Sequence, residues 1–132
     1  MKLLVFIPCL NEANTIGGIL DSIPKKLKNI DEIQTLIIDD GSDDKTSEIV
    51  EKYENVYLIV NRKTKGLAEA FNTALELTNA EFIIDLAADD ILLPNRVGEG
   101  VKSLIEKPEV AVNFTNAYYI NEKGQYIKSH YP

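Results

Sequence analysis

Nine aspartates occur in the 132-residue chain, and seven fall in two groups: Asp39, Asp40, Asp43 and Asp44, then Asp85, Asp89 and Asp90. Neighbouring carboxylates repel unless a cation or a donor-rich ligand shares their space. Oxygen donors without cysteine or histidine partners suit a hard ion, Mg2+ or Mn2+; Mg2+ keeps several waters and completes its shell with substrate phosphates, so few protein carboxylates are needed. Asp43 and Asp44 have a plainer reading, as acids in the first turn of a helix, where they suit its dipole. That reading fits less well for Asp39-Asp40, which end an apolar run, and for Asp89-Asp90, which follow Ala87-Ala88. A basic loop, Asn61-Arg62-Lys63-Thr64-Lys65-Gly66, runs into a helical pattern. Free amides at a helix start, with lysine nearby, attract anions, and Gly66 permits close backbone approach. Alone it reads equally as a solvated turn; with the acid groups it describes a metal–diphosphate site.

The elements that must position these residues alternate. Residues 3–7, 34–38, 56–60 and 82–86 read as strands, the second a continuous apolar run suited to a sheet covered on both faces. Between them lie helical stripes: Ile16, Ile19, Leu20 and Ile23; then Thr46, Ile49, Val50 and Tyr53, with Ser42 as cap; then Leu67, Phe71, Ala74, Leu75 and Thr78. Val97, Val101, Leu104 and Ile105 predict a fourth helix, ended by Pro108. Residues 110–114 then read as a strand, and Asn121-Glu122-Lys123-Gly124 predicts a hairpin between residues 117–120 and 125–128. The expected fold class is α/β: a Rossmann-like, mostly parallel sheet flanked by helices, with a small antiparallel C-terminal hairpin. Residues 1–132 read as one domain, with a βα region at 1–108 and a strand plus hairpin at 109–132. Both acid groups would then stand at the carboxyl ends of strands, the edge where open α/β sheets bind ligands.

Composition narrows the function. Lys+Arg 14 against Asp+Glu 21 gives a net charge of -7, the wrong sign for binding a nucleic-acid backbone or an anionic membrane. One cysteine, Cys9, and one histidine, His130, leave no intrachain disulfide and little histidine-centred metal or triad chemistry. Met1-Lys2 and the apolar run after it imitate a signal peptide, but Pro8 and Asn11-Glu12 offer no small-residue cleavage site. A buried first strand is the better reading. No run approaches the roughly 20 apolar residues of a membrane span, so a soluble, cytoplasmic protein is expected. No Gly-x-Gly-x-x-Gly follows a strand, as a dinucleotide-binding oxidoreductase requires. A receiver-like signalling domain, the other fold with aspartates clustered at a sheet edge, should carry its acidic pair after the first strand, which here ends Pro8-Cys9-Leu10-Asn11-Glu12.

Four segments, FIPCLNEANTI, LIIDDGSDDKT, KGLAEAFNTAL and AEFIIDLAADDILLPNRV, resemble in order and spacing the nucleotide-sugar part of family 2 glycosyltransferases, which have the GT-A fold. The resemblance is good over residues 3–97 and continues more weakly to about 128. It implies Pro8 and Leu10 beside the nucleotide base, Glu12 at the next helix start, Asp39 accepting a hydrogen bond from the base, and Asp40 closing the same pocket. It places Lys65 and Gly66 against the nucleotide near its base and diphosphate. Asp89 matches the second aspartate of the Asp-x-Asp motif, the metal holder, and Asp90 is the acid that often follows. The implied activity is metal-assisted (Mn2+ or Mg2+), inverting transfer of a sugar from a nucleoside-diphosphate sugar, UDP at the family level, to a saccharide or lipid-linked acceptor in polysaccharide biosynthesis. A nucleotide-sugar-binding module or catalytically incomplete fragment is the alternative. Three departures stand out. Ala87 replaces the first aspartate of the motif, and Asp85, two residues earlier on the same strand face, is predicted too deep in the sheet to compensate. Phe71 stands where the family has arginine. The family's acceptor-binding half with its acidic base has no counterpart in residues 1–132, which read as an excised nucleotide-binding half, a minimal natural form, or a domain completed by a partner chain or further C-terminal region; Glu109, Glu122 and His130 are the late acidic or basic candidates, none with a supporting motif. The assignment requires Asp39 and Asp89 to open onto one shared hollow.

Overall fold

The computed structural model describes residues 1–132, which form two compact units, Met1–Gly98 and Glu99–Pro132. The first holds four parallel strands, β1 (Lys2–Cys9), β2 (Glu32–Asp39), β3 (Val56–Val60) and β4 (Phe82–Asp85), in the order β3-β2-β1-β4. The connecting helices are α1 (Ile16–Ser22), α2 (Thr46–Val50) and α3 (Leu67–Leu77). The chain steps one way from β1 to β3 and returns to the far side of β1 for β4. Right-handed crossovers therefore put α1 and α2 on one face of the sheet and α3 on the other. This order excludes the receiver-like alternative, in which the third strand pairs with the first rather than the second.

Strand alternation sorts the core. Leu4, Phe6, Leu36 and Ile38 face Ala70 and Ala74 of α3, with Phe71, Ile59 and Ile83 packed at the margin. Leu3, Val5, Ile7 and Ile37 point the opposite way and are buried, as are Ile16, Ile19 and Leu20 of α1 and Val50 of α2. The expected stripe on α3 is shifted: Phe71 and Ala74 pack inward as expected, but Leu67 and Leu75 are exposed and Ala70 is buried in their stead. Small residues let the helix axis approach the sheet, so the alanines rather than the leucines take the inner face. Phe71 meets Phe6 edge-on, ring centroids 5.7 Å apart.

Two other expectations are corrected. Ser42 does not cap α2, which starts at Thr46; the Ser42 hydroxyl accepts from the Asn11 amide at 2.8 Å, and Asp44 accepts from the Thr46 amide at 2.8 Å. Residues 110–114 form no strand, because no neighbouring strand pairs with their backbone, and an apolar run alone does not make a ladder. In the second unit, α4 (Arg96–Glu106), which begins at the end of the first, leads to a hairpin of β5 (Tyr118–Ile120) and β6 (Tyr126–Ser129). Asn121 shapes its turn, its side-chain oxygen accepting from the amides of Lys123 and Gln125 at 2.9 and 3.0 Å, while Gly124 takes the required positive φ of 73°.

Two outcomes test this packing. Ala74→Leu should destabilise by about 1–3 kcal/mol through overpacking, and Leu75→Gln should stay within about 0.5 kcal/mol, as for a surface change; urea unfolding of both variants measures this. Cys9 is buried, and burial, with the charges of Asp39, Glu12 and Asp44, pushes its thiol up to about 12. A group whose folded pKa is raised keeps its stabilisation below the unfolded pKa and loses it as pH rises toward the folded one. The thiol should therefore resist a disulfide reagent at pH 8 and react fully in denaturant, and Cys9→Ala should flatten part of the stability loss between about pH 9 and 12.

Candidate nucleotide-sugar cleft

The cleft begins where a ladder stops. Leu86 donates its amide to the Phe6 carbonyl at 2.9 Å, the last β1–β4 bond. The next would need an N–H at residue 8, and proline has none. On the other side the ladder continues: the Asp40 amide reaches the Cys9 carbonyl at 2.9 Å and the Asn61 amide reaches the Asp39 carbonyl at 2.8 Å. The sheet thus stays closed from β1 to β3 and parts between β1 and β4, the point where the winding direction reverses and ligands characteristically bind. A hollow of about 240 Å³ lies there, lined by Pro8, Cys9, Leu10, Glu12, Asp40, Gly66, Leu67, Ala70, Ala87, Ala88 and Asp89. One wall is apolar; the only charged lining residues are three acids, Glu12, Asp40 and Asp89.

The loops around it are knitted together. The Glu12 amide donates to the Thr46 hydroxyl at 2.9 Å and the Ala13 amide to Asp44 at 3.2 Å. The Asp43 amide donates to the Asn11 side chain at 2.9 Å, with Asn11 at φ 58°. The Thr15 hydroxyl donates to the Glu12 carboxylate at 2.8 Å, fixing it at the start of α1. Gly41 has φ +99°, and a Cβ there would lie 3.4 Å from the Asn61 carbonyl, so only glycine lets this turn close on the next loop. The Thr46 hydroxyl and Thr46 amide, with the Ala13 amide, hold the Asp44 carboxyl below its usual range against some desolvation.

The acids expected at the site divide. Asp39 is fully buried; its carboxylate accepts from the amides of Gly41 and Ser42 at 3.2 and 2.8 Å and from the Ser47 hydroxyl. It is turned into the β2–α2 connection rather than onto the hollow, because strand alternation puts residue 39 on the same face as Ile37, opposite Leu36 and Ile38, whose face α3 covers. The expected meeting of Asp39 with Asp89 in one hollow is therefore not what the fold gives: Asp40, on the α3 side, lines the hollow, and it is Asp40 rather than Asp39 that shares the opening with Asp89. Desolvation pushes the Asp40 carboxyl up, but the amides of Lys65 and Gly66, the Asn61 side chain and the Lys65 charge outweigh it and hold it low. Those amides are therefore not free for an anion, contrary to expectation. The Lys65 ammonium pairs with Glu69 at 3.2 Å, and Lys65 is not among the lining residues. Gly66 is, at φ +94°.

Across the hollow, Ala87, Ala88 and Asp89 follow β4, in a turn closed by the Asp90 amide on the Ala87 carbonyl at 3.2 Å. Asp89 and Asp90 are exposed. Desolvation raises the Asp90 carboxyl, and the charge of Asp89 adds to it. Asp85 is exposed rather than deep and does not line the hollow, so it does not stand in for an acid at Ala87. Leu67 and Ala70, which sequence reasoning missed, complete the apolar wall; their signal was the helix start directly after Gly66. Glu109, Glu122 and His130 belong to the second unit, where His130 Nδ1 meets the Tyr119 hydroxyl at 2.9 Å.

The chain is similar in sequence and fold to known proteins. The sequence model of Glycosyl transferase family 2 matches residues 4–131. Chondroitin synthase of Pasteurella multocida is 29% identical over 130 residues, 96% of this chain and 13% of that protein. Among solved structures, S. aureus TarS 1-349 in complex with UDP-GlcNAc is 27% identical at a TM-score of 0.67, over 80% of this chain and 32% of that one. Mannosyltransferase PcManGT from Pyrobaculum calidifontis, in complex with GDP-Man and Mn2+, is 30% identical at a TM-score of 0.67, over 77% of this chain and 32% of that one. The chain spans about a third of each of these two solved chains. With the family model covering nearly its whole length, and a GT-A-type sheet whose strands part at the expected edge, the chain belongs to glycosyl transferase family 2.

Proposed function

We propose that the chain is the donor-binding part of a glycosyltransferase that takes its sugar from a nucleoside-diphosphate sugar, with UDP as the nucleotide. The observation that carries this reading is that Asp40, following β2, and Asp89, following β4, line one hollow at the reversal point of the sheet. The base would lie against Pro8, Leu10, Leu67 and Ala70, with Glu12 and Asp40 at its polar rim and Gly66 giving the backbone room to approach. Asp39 would act from beneath, holding the turn that presents Asp40. Lys65 would contribute through its backbone.

The diphosphate would lie toward Asp89, with Asp90 beside it. No three acids, histidines or cysteines gather in a metal cage. Oxygen donors from one or two carboxylates nevertheless fit Mn2+ or Mg2+, which take the rest of their shell from phosphate and water. Bound there, such an ion would supply Lewis-acid stabilisation of the diphosphate leaving group. In transfer, the acceptor oxygen bonds to the anomeric carbon as the bond from that carbon to the diphosphate breaks, its electron pair leaving with the diphosphate. Inversion requires a base to take the acceptor proton, a role assigned to no residue here. The acceptor would be a saccharide or lipid-linked sugar. No helix is long and apolar enough to cross a membrane.

UDP or a UDP-sugar with Mn2+ should raise the melting temperature; at a hundred times Kd the gain is about 2.7 kcal/mol. Asp89→Asn should lose the metal-dependent part and keep its fold by circular dichroism. An unchanged melting temperature with every nucleoside diphosphate tried, with and without metal, contradicts the reading. Donor turnover separates a transferase from a binding module.

A further inference from the structure

We infer that the β3 edge of the sheet is a self-association surface, through which two copies of the chain join antiparallel about a two-fold axis at Leu58. β3 is an end strand in the order β3-β2-β1-β4, so one row of its backbone groups has no strand beside it. The Asn61 amide reaches the Asp39 carbonyl, and residues 57, 59 and 61 therefore turn their amides and carbonyls toward β2. By alternation, those of Val56, Leu58 and Val60 point outward. Natural sheets blunt such an edge with charge, proline or a bulge. β3 reads Val-Tyr-Leu-Ile-Val, and its register with β2 runs unbroken from Val56 to Val60. The opposite edge strand, β4, is shorter and ends in the charge of Asp85. Apolar side chains accompany the bare backbone: Tyr57 is 64% exposed and Val60 52%. Tyr57 also shares a hollow of about 720 Å³ with Leu77, at the end of α3.

The flanks of the strand specify the occupant. Glu54 lies four residues before Leu58 and Arg62 four residues after it. Antiparallel pairing centred on Leu58 sets Glu54 of each copy against Arg62 of the other, so the attraction occurs twice. Neither residue has an ion-pair partner in its own chain. In the same register Leu58 meets Leu58 of the second copy as a hydrogen-bonded pair, and Val56 meets Val60 of the second copy. Every outward amide and carbonyl of β3 then finds a partner. A patch complementary to itself is what a closed two-fold dimer requires, and the two sheets become one. None of Val56, Leu58, Val60, Glu54 and Arg62 lines the Asp40–Asp89 cleft, so the contact is independent of the nucleotide reading.

Sedimentation equilibrium of the full chain tests this, at concentrations up to about 100 µM to reveal a micromolar Kd. About 0.15 M salt screens the net charge of -7 on each copy. The wild type should reach twice the monomer mass. Val60→Pro removes an outward amide, leaves the β2-facing ones and suits an edge strand; it should weaken dimerisation about tenfold or more, since two symmetric bonds are lost. Should it fail to fold by circular dichroism, the charge variants decide. Arg62→Glu should weaken association about fivefold by facing Glu54 with a like charge, and Glu54→Arg combined with Arg62→Glu should restore it. A wild type that stays monomeric overturns the inference and leaves the edge to a strand of another protein. Unchanged affinity in a folded Val60→Pro or in Arg62→Glu, or no recovery in the double variant, puts the contact elsewhere and overturns it as well.

Discussion

The cleft depends on a hydrogen bond that cannot form. Residue 8 is proline, so β1 has no donor for β4 beyond the Leu86–Phe6 bond, while its other side stays laddered to β2 through the Asp40–Cys9 bond. A parallel sheet held on one side and released on the other opens at that point, and the reversal of winding puts no helix across the gap. Everything proposed for the chain's chemistry occupies that opening.

Three aspartates near it serve three different ends. Asp39 faces inward and organises the β2–α2 turn through Gly41, Ser42 and Ser47. Asp40 faces the other side and accepts from the Lys65 and Gly66 amides just ahead of α3. Asp89 stands exposed across the hollow, beside Asp90. The burial of the first and the exposure of the last set their roles more firmly than their shared chemistry does. A carboxylate satisfied by backbone amides is poorly suited to holding a metal ion, and one standing in solvent at a cleft mouth suits it well.

Most of the architecture was legible because it follows from periodicity. The four strands lie within two residues of their expected positions, and Pro24 and Pro108 lie just beyond the helices they were expected to end. The acid clusters could be assigned to the ligand edge because β–α alternation implies a parallel sheet. What was not legible is phase. In a strand, residues 39 and 40 must face opposite sides, and only the face occupied by α3 decides which of them meets the cleft. Right-handed crossovers would have settled it once β4 was placed beyond β1, but strand order is not written in local pattern. The burial of Ala70 in place of Leu67 and Leu75 was hidden for a similar reason: hydrophobicity marks leucine as the inner residue, whereas close helix–sheet approach selects alanine. Residues 110–114 show the converse, an apolar run that no neighbour converts into a strand.

The central claim is that one opening gathers a divalent ion and a nucleoside diphosphate beside Asp89. Paramagnetic broadening by substoichiometric Mn2+ in the presence of UDP, followed residue by residue in amide NMR spectra, tests it most directly. Broadening centred on residues 87–90, reaching Leu10 and Asp40 and sparing the amino ends of the strands, is the predicted result. Broadening centred instead on Asp43 and Asp44, or none that depends on UDP, contradicts it.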